Sequence, residues 1–188
     1  MLYIMRHGQT DWNVIHKLQG KTDIPLNETG RLMAKNAAKE YSDVHFDVCF
    51  CSPLKRASET AEILLRDRHV PIIYDDRLRE MSFGVYEGVE NTFAVEDLPI
   101  NLLFKSPEKY TVPVIGGESF DELFMRTGEF LKQKVFPLLE DGKDVLIVGH
   151  GAMNSSIVCR MLNLPISEFW SKGIQNCKLM ELPYNKGE

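Results

Sequence analysis

The sequence has no apolar run long enough to cross a bilayer, and its first residues carry neither the basic segment nor the extended apolar stretch of a secretion signal. Both absences predict a cytoplasmic protein with no membrane partner. An excess of positive charge is also missing. The chain has 22 Lys and Arg against 27 Asp and Glu, a formal charge of −5 at pH 7, which removes the general electrostatic case for binding nucleic acid. Any anion site must therefore be local. The four cysteines, Cys49, Cys51, Cys159 and Cys177, form no CxxC pair, and no HxH or clustered Asp/His set is present, so no metal and no cofactor is expected. Cys49 and Cys51 alternate with Val48 and Phe50, as buried free thiols on one strand face would. Internal repeats and low-complexity segments are lacking too, which excludes solenoids and arrays.

What is present is an ordinary globular composition, 44% hydrophobic and 26% charged over 188 residues, enough for one well-filled core and too little for two. One domain spanning 1–188 is expected. Leu2-Tyr3-Ile4-Met5, Phe46 to Cys51, Ile72-Ile73-Tyr74, Asp144 to Val148 and a stretch near Cys177 to Leu182 read as strands. Between them lie helical patterns. Asn27 caps one with Ala34, Ala37, Ala38 and Tyr41 on a single face; Ser52-Pro53 opens a second through Leu65; the capping box at Ser119 opens a third ending near Pro137; a fourth runs from about Ala152 to Leu162. Strands separated by helices predict a three-layer α/β fold, a mostly parallel sheet with helices on both faces. Residues 82–117 show no sustained period and several Gly and Pro, and they read as a lid laid over this domain.

The chemistry concentrates at two strand ends. The first strand delivers Arg6-His7-Gly8, and the strand ending at Val148 delivers Gly149-His150-Gly151. Open α/β sheets keep their ligand crevice at the carboxyl ends of the strands, so both imidazoles can be aimed into one pocket. A cation and an imidazole there suggest phosphate chemistry. The helix after Ser52-Pro53 carries Lys55 and Arg56 in its first turn, where the helix dipole disfavours cations. Lys55 can pair with Glu59 at i, i+4. Arg56 follows a strand end and would point into the crevice beside His7, where a bound phosphate would reverse the unfavourable sign.

These residues, with Asn13, Gln19-Gly20, Asp23-Ile24-Pro25-Leu26, Ser52-Pro53-Leu54-Lys55-Arg56-Ala57, Leu78-Arg79-Glu80, Phe83-Gly84, Glu87-Gly88 and Gly116-Gly117-Glu118-Ser119, make the chain resemble the histidine phosphatase superfamily, which includes the cofactor-dependent phosphoglycerate mutases. The resemblance implies that His7 is the nucleophile that becomes phosphorylated, that Arg6, Arg56 and His150 surround the phosphoryl group with Asn13, and that Glu80 is the proton donor. Gln19, Gly20 and Gly151 are further candidates for phosphate contact, with a turn the alternative for Gln19-Gly20. An imidazole can attack phosphorus near neutral pH if an acceptor holds the proton on its other nitrogen, and in-line transfer needs donors around the equatorial oxygens. Read without the resemblance, Arg6 could be a structural ion pair, Asn13 a turn residue and Glu80 part of a charged loop. His16, His45 and His69 match no catalytic position and read as surface or structural residues.

The implied function is a metal-independent phosphatase acting on small-molecule phosphate monoesters through phosphohistidine. α-Ribazole phosphate, phosphoglycerates and sugar phosphates all belong among the substrates to be tried. The alternatives are a mutase-type phosphotransferase and a non-catalytic phosphate-binding module. The chain is shorter than typical mutases of the group, and Tyr86 stands where tryptophan is frequent. Within 82–117, Lys105 and Lys109 face Glu87, Glu90, Glu96, Asp97 and Glu108, with Phe83, Tyr86, Phe93, Phe104 and Tyr110 interspersed. Such a lid predicts a monophosphate with a neutral, partly apolar remainder. Assembly stays open, a homodimer being one option.

Overall fold

A computed structural model of the chain describes residues 1–95 and 97–184. Its sheet contains β1 (Leu2–Arg6), β2 (Val48–Cys51), β3 (Ile72–Tyr74), β4 (Val145–Gly149) and β5 (Leu179–Leu182), in the order β3-β2-β4-β1-β5. All neighbours pair in parallel except β5, which is antiparallel to β1. The helices are α1 (Asp11–Val14), α2 (Glu28–Glu40), α3 (Lys55–Leu65), α4 (Ile100–Lys105), α5 (Phe120–Phe130), α6 (Phe136–Glu140) and α7 (Gly151–Met161).

The central strands are continuous apolar runs because both sheet faces are covered. Along β4, Val145 and Ile147 point to one side and pack with Phe130 of α5, Leu139 of α6 and Ile157 of α7; Leu146 and Val148 point to the other. There they meet Ala34 and Ala37 of α2 and Ala57 and Ala61 of α3, small residues that bring both helices close to the strands. Cys49 and Cys51 face this second layer as free, buried thiols, with burial pushing both upward in pKa and away from reactive thiolate.

Asn27 caps α2 through Gly30 N–H at 2.8 Å, and Ser119 and Glu122 form the expected capping box at the start of α5. Two helical boundaries differ from the sequence expectation. The third helix does not end near Pro137. A wide turn over 131–135, with i→i+5 hydrogen bonding, carries it on into α6, where Pro137 lies in the first turn and needs no intrahelical N–H bond. Likewise α3 begins at Lys55 rather than at Ser52-Pro53. Leu54 occupies the cap position without a side-chain bond, and Asp23 Oδ1 accepts the Lys55 N–H at 2.8 Å instead.

Residues 82–117 form turns, short 3-10 pieces and α4, as their irregular pattern predicts. Phe83, Ile100, Leu103 and Val114 build a third apolar cluster with Met81, against Phe120 and Leu123 of α5 and Ala152 of α7. Among the described residues no helix is long and apolar enough to cross a membrane. The fold brings three strand ends together in register, Arg6 opposite Gly149 and Cys51 opposite Val148, so His7, His150 and Ser52 emerge side by side.

Candidate active site

The rings of His7 and His150 lie 5.2 Å apart, centroid to centroid, and tilted by 58°. Both are almost completely buried. His7 Nδ1 is 2.6 Å from the Gly8 carbonyl, which can only accept, so Nδ1 carries the proton and Nε2 keeps a free lone pair. That peptide is itself fixed, because Gly8 N–H donates to Thr60 Oγ1 at 3.0 Å and Thr60 Oγ1 donates to the Arg56 carbonyl at 2.6 Å. Glycine is required at position 8 by proximity, since a Cβ would stand 2.5 Å from the Gly30 carbonyl oxygen at the start of α2.

His150 is oriented by a residue that sequence reasoning gave another role. Ser52, read as a helix cap, lies 2.7 Å from His150 Nε2 and accepts the Leu54 N–H at 3.3 Å. With one proton and two lone pairs, the hydroxyl can complete this bond to either tautomer of the ring. Nδ1 is buried and has no partner within the protein. Burial first, then the positive charge of Arg56, holds the pKa of both imidazoles well below the usual histidine value, so both are neutral near pH 7.

Arg6 and Arg56 flank the pair. Arg6 Nη1 donates to the Ile174 carbonyl at 3.3 Å, while its Nε is buried without a partner. Arg56 is 1% exposed and donates to the Gly20 and Thr22 carbonyls at 2.7 and 2.8 Å; its Nε is likewise unpartnered. Burial lowers its pKa to about 10, which leaves it cationic at neutral pH. Asn13 is both a turn residue and a pocket residue. Its Oδ1 accepts from Thr10 N–H and Oγ1, closing a capping box around α1, and its amide lines the pocket. Gln19 and Gly20 line it too; Gln19 Oε1 is buried and unpartnered, and Gly20 adopts φ +53° where a Cβ would collide with Glu87. The expected Lys55–Glu59 pair does not form. Lys55 lies 3.9 Å from Asp23, and Glu59 binds Arg31 at 2.5 Å.

Glu80 is buried and caps α7 from outside that helix. Its carboxylate accepts N–H bonds from Met81, Ala152 and Met153 at 2.9, 3.2 and 3.0 Å. A Cβ on Gly151 would sit 3.6 Å from Glu80 Oε2 and 3.7 Å from Arg6 Cζ, so glycine keeps the gap between them clear. Behind Glu80, Arg126 forms a bidentate pair with buried Glu118 at 2.6 and 3.0 Å and donates to the carbonyls of Arg77 and Arg79. Neither Arg126 nor Ser52 carried a sequence signal for these roles, because the bonds of Arg126 to the Arg77 and Arg79 carbonyls and of Ser52 to His150 span more than 45 residues.

Together His7, Arg6, Asn13, Gln19, Gly20, Arg56, Glu80 and Gly151 border one cavity of about 240 Å³. Its outer part is lined by Phe83, Phe93, Phe104 and Trp170, with His16 and Lys17 at the rim. His16, read as surface or structural, is exposed but borders this cavity. Of the acids in 82–117, Glu90, Asp97 and Glu108 are exposed, and Glu87 turns inward to bind the Lys21 and Thr22 N–H groups; Glu96 lies outside the described residues.

Comparison with known proteins identifies the family. A family model for the histidine phosphatase superfamily (branch 1) matches residues 2–188. The chain is 35% identical to a 2,3-bisphosphoglycerate-dependent phosphoglycerate mutase of Cytophaga hutchinsonii, covering 80% of this chain and 72% of the relative. It is 31% identical to phosphoserine phosphatase 1 of Hydrogenobacter thermophilus, covering 93% and 82%. Among solved structures, YhfR of Bacillus stearothermophilus superposes with a TM-score of 0.83 at 31% identity, covering 95% of this chain and 88% of that one. Since the match runs through both histidine-bearing strand ends and nearly the whole chain, the protein belongs to the histidine phosphatase superfamily.

Proposed function

We propose that this protein is a cytoplasmic, metal-independent phosphatase of one domain that hydrolyses small-molecule phosphate monoesters through a phosphohistidine on His7, with 82–117 as its lid. The observation that carries this reading is the pair of buried guanidinium N–H donors without protein partners, Arg6 Nε and Arg56 Nε, on residues that border a pocket also bordered by His7, whose Nε2 is free; the His150 ring does not border the pocket and lies 5.2 Å behind His7, centroid to centroid. Buried donors left unpaired are costly, and a phosphoryl group offers the acceptors they need.

In the first half-reaction His7 Nε2 attacks phosphorus, the bond to the ester oxygen breaks, and the departing oxygen takes a proton from Glu80. In the second, water attacks the phosphohistidine, gives its proton to the Glu80 carboxylate, and the P–N bond breaks to release phosphate and restore His7. Arg6, Arg56, His150 and the Asn13 amide meet the charge on the equatorial oxygens. These side chains supply the stabilisation that a metal would otherwise give, and among the described residues no group of three or more His, Cys, Asp or Glu is placed to bind one. The relatives named as phosphatases support hydrolysis as the outcome.

Rapid quenching during turnover tests this reading. The expected product is an acid-labile, base-stable phosphoryl adduct on His7, absent from His7→Ala. Full turnover by His7→Ala would overturn it.

A further inference from the structure

The outer half of the active-site cavity is aromatic on one side. Phe104 stacks on Trp170, with centroids 5.4 Å apart and planes 21° from parallel. Phe93 meets Phe104 edge to face at 5.1 Å, and Phe83 lies 5.8 Å away on another side of the same ring. The stack is fixed, because Trp170 Nε1 donates to the Leu103 carbonyl at 2.7 Å, and Phe83 is buried. Phe93 differs. It is 43% exposed and borders the cavity, so part of the ring has no protein partner.

The cavity is also bordered by His16 and Lys17, but Lys17 is already engaged. Its ammonium lies 3.0 Å from Glu90 and 5.8 Å from the centre of the Trp12 ring. A substrate carboxylate or second phosphate would have to compete with Glu90 for this cation. A flat ring meets no such competition, and aromatic pairs in edge-to-face or offset geometry gain beyond the burial of apolar area. The cavity, at about 240 Å³, is below the usual range for drug-sized ligands, so the ring must be attached within a few bonds of the phosphate.

Resting on the phosphatase reading above, we infer that the preferred substrate is a monophosphate of an alcohol that carries a flat aromatic or heteroaromatic ring, seated against Phe93, Phe104 and Trp170. Phosphorylated amino acids and hydroxy acids are then poorer substrates.

The test compares 2-phenylethyl phosphate, 2-cyclohexylethyl phosphate and phosphoserine. The first two are esters of similarly basic alcohols, so their difference reports the ring and not leaving-group chemistry. Wild-type kcat/KM is expected to be roughly three- to tenfold higher for the phenyl than for the cyclohexyl ester, and higher still over phosphoserine. Phe93→Leu retains apolar bulk and should narrow the phenyl-to-cyclohexyl ratio, whereas Phe93→Ala should weaken both. Calorimetric binding of the matching non-hydrolysable phosphonates gives the same comparison without turnover. Ring preference in binding without hydrolysis of any ester would count against the phosphatase reading alone. A preference for phosphoserine, or a ratio that Phe93→Leu leaves unchanged, would overturn the aromatic assignment.

Discussion

Single residues at this site hold two obligations at once, and Glu80 is the clearest case. Its carboxylate anchors three backbone N–H groups, two of them in the first turn of α7, and it stands across the Gly151 gap from Arg6. Replacing it with alanine would therefore confuse chemistry with lost capping. Glu80→Gln retains a carbonyl oxygen for the backbone and removes the transferable proton. Its kcat should fall about 10²- to 10⁴-fold for esters of poorly acidic alcohols, and much less for p-nitrophenyl phosphate, whose leaving group needs no proton. Equal losses on the two substrates would move the proton-donor role elsewhere. The pairing of His7 with His150 was legible in the sequence because each stands one residue beyond an apolar run that reads as a strand. The second tier was not. Ser52 before proline looks like a helix cap, and only the parallel pairing of β2 with β4 carries it to His150, 98 positions away.

Among the elements, α5 links the site to the body of the fold. It packs Phe130 against the sheet, while Arg126, one turn earlier, holds Glu118 and the carbonyls of Arg77 and Arg79. The Glu118 side chain is 8% exposed, so removal of its partner strands a buried charge. Arg126→Ala should lower unfolding free energy by about 3 kcal/mol or more, read from a denaturant midpoint, and should reduce kcat because the Glu80 backbone loses its brace. A variant with wild-type stability would show that solvent or a neighbouring cation replaces the arginine. Segment 82–117 is tied down in a similar way, through Glu87 on the Lys21 and Thr22 N–H groups and Glu90 on Lys17. The irregularity of this segment was readable from its Gly and Pro residues. Which of its aromatics would face substrate was not, because an aperiodic loop gives no facing rule; Phe83, Phe93 and Phe104 turn to the cavity, while Tyr110 is buried beside Phe120.

For the molecule as a whole, two neutral imidazoles buried beside two arginines make stability depend on pH. Their folded pKa values lie well below the unfolded value near 6.5, so their contribution is present above that pH and is lost as pH falls below it, where the unfolded chain binds more protons. The loss can reach about 2.7 kcal/mol per pH unit for the two groups together. Urea midpoints should therefore drop between pH 6.5 and 5, and bound vanadate should reduce the drop by offering the imidazoles a counter-charge. Constant midpoints across that interval would mean that neither ring is held neutral in the folded state. The sequence by itself determined the α/β class, the order of strands and helices and the pair of histidines at two strand ends, because apolar period and local capping are short-range properties. The spatial order of the strands, the pairing of Ser52 with His150 and the aromatic wall contributed by Phe93, Phe104 and Trp170 were decided only by the tertiary structure. They depend on contacts between segments separated by tens of residues, and local periodicity carries no record of which distant segment will supply the partner.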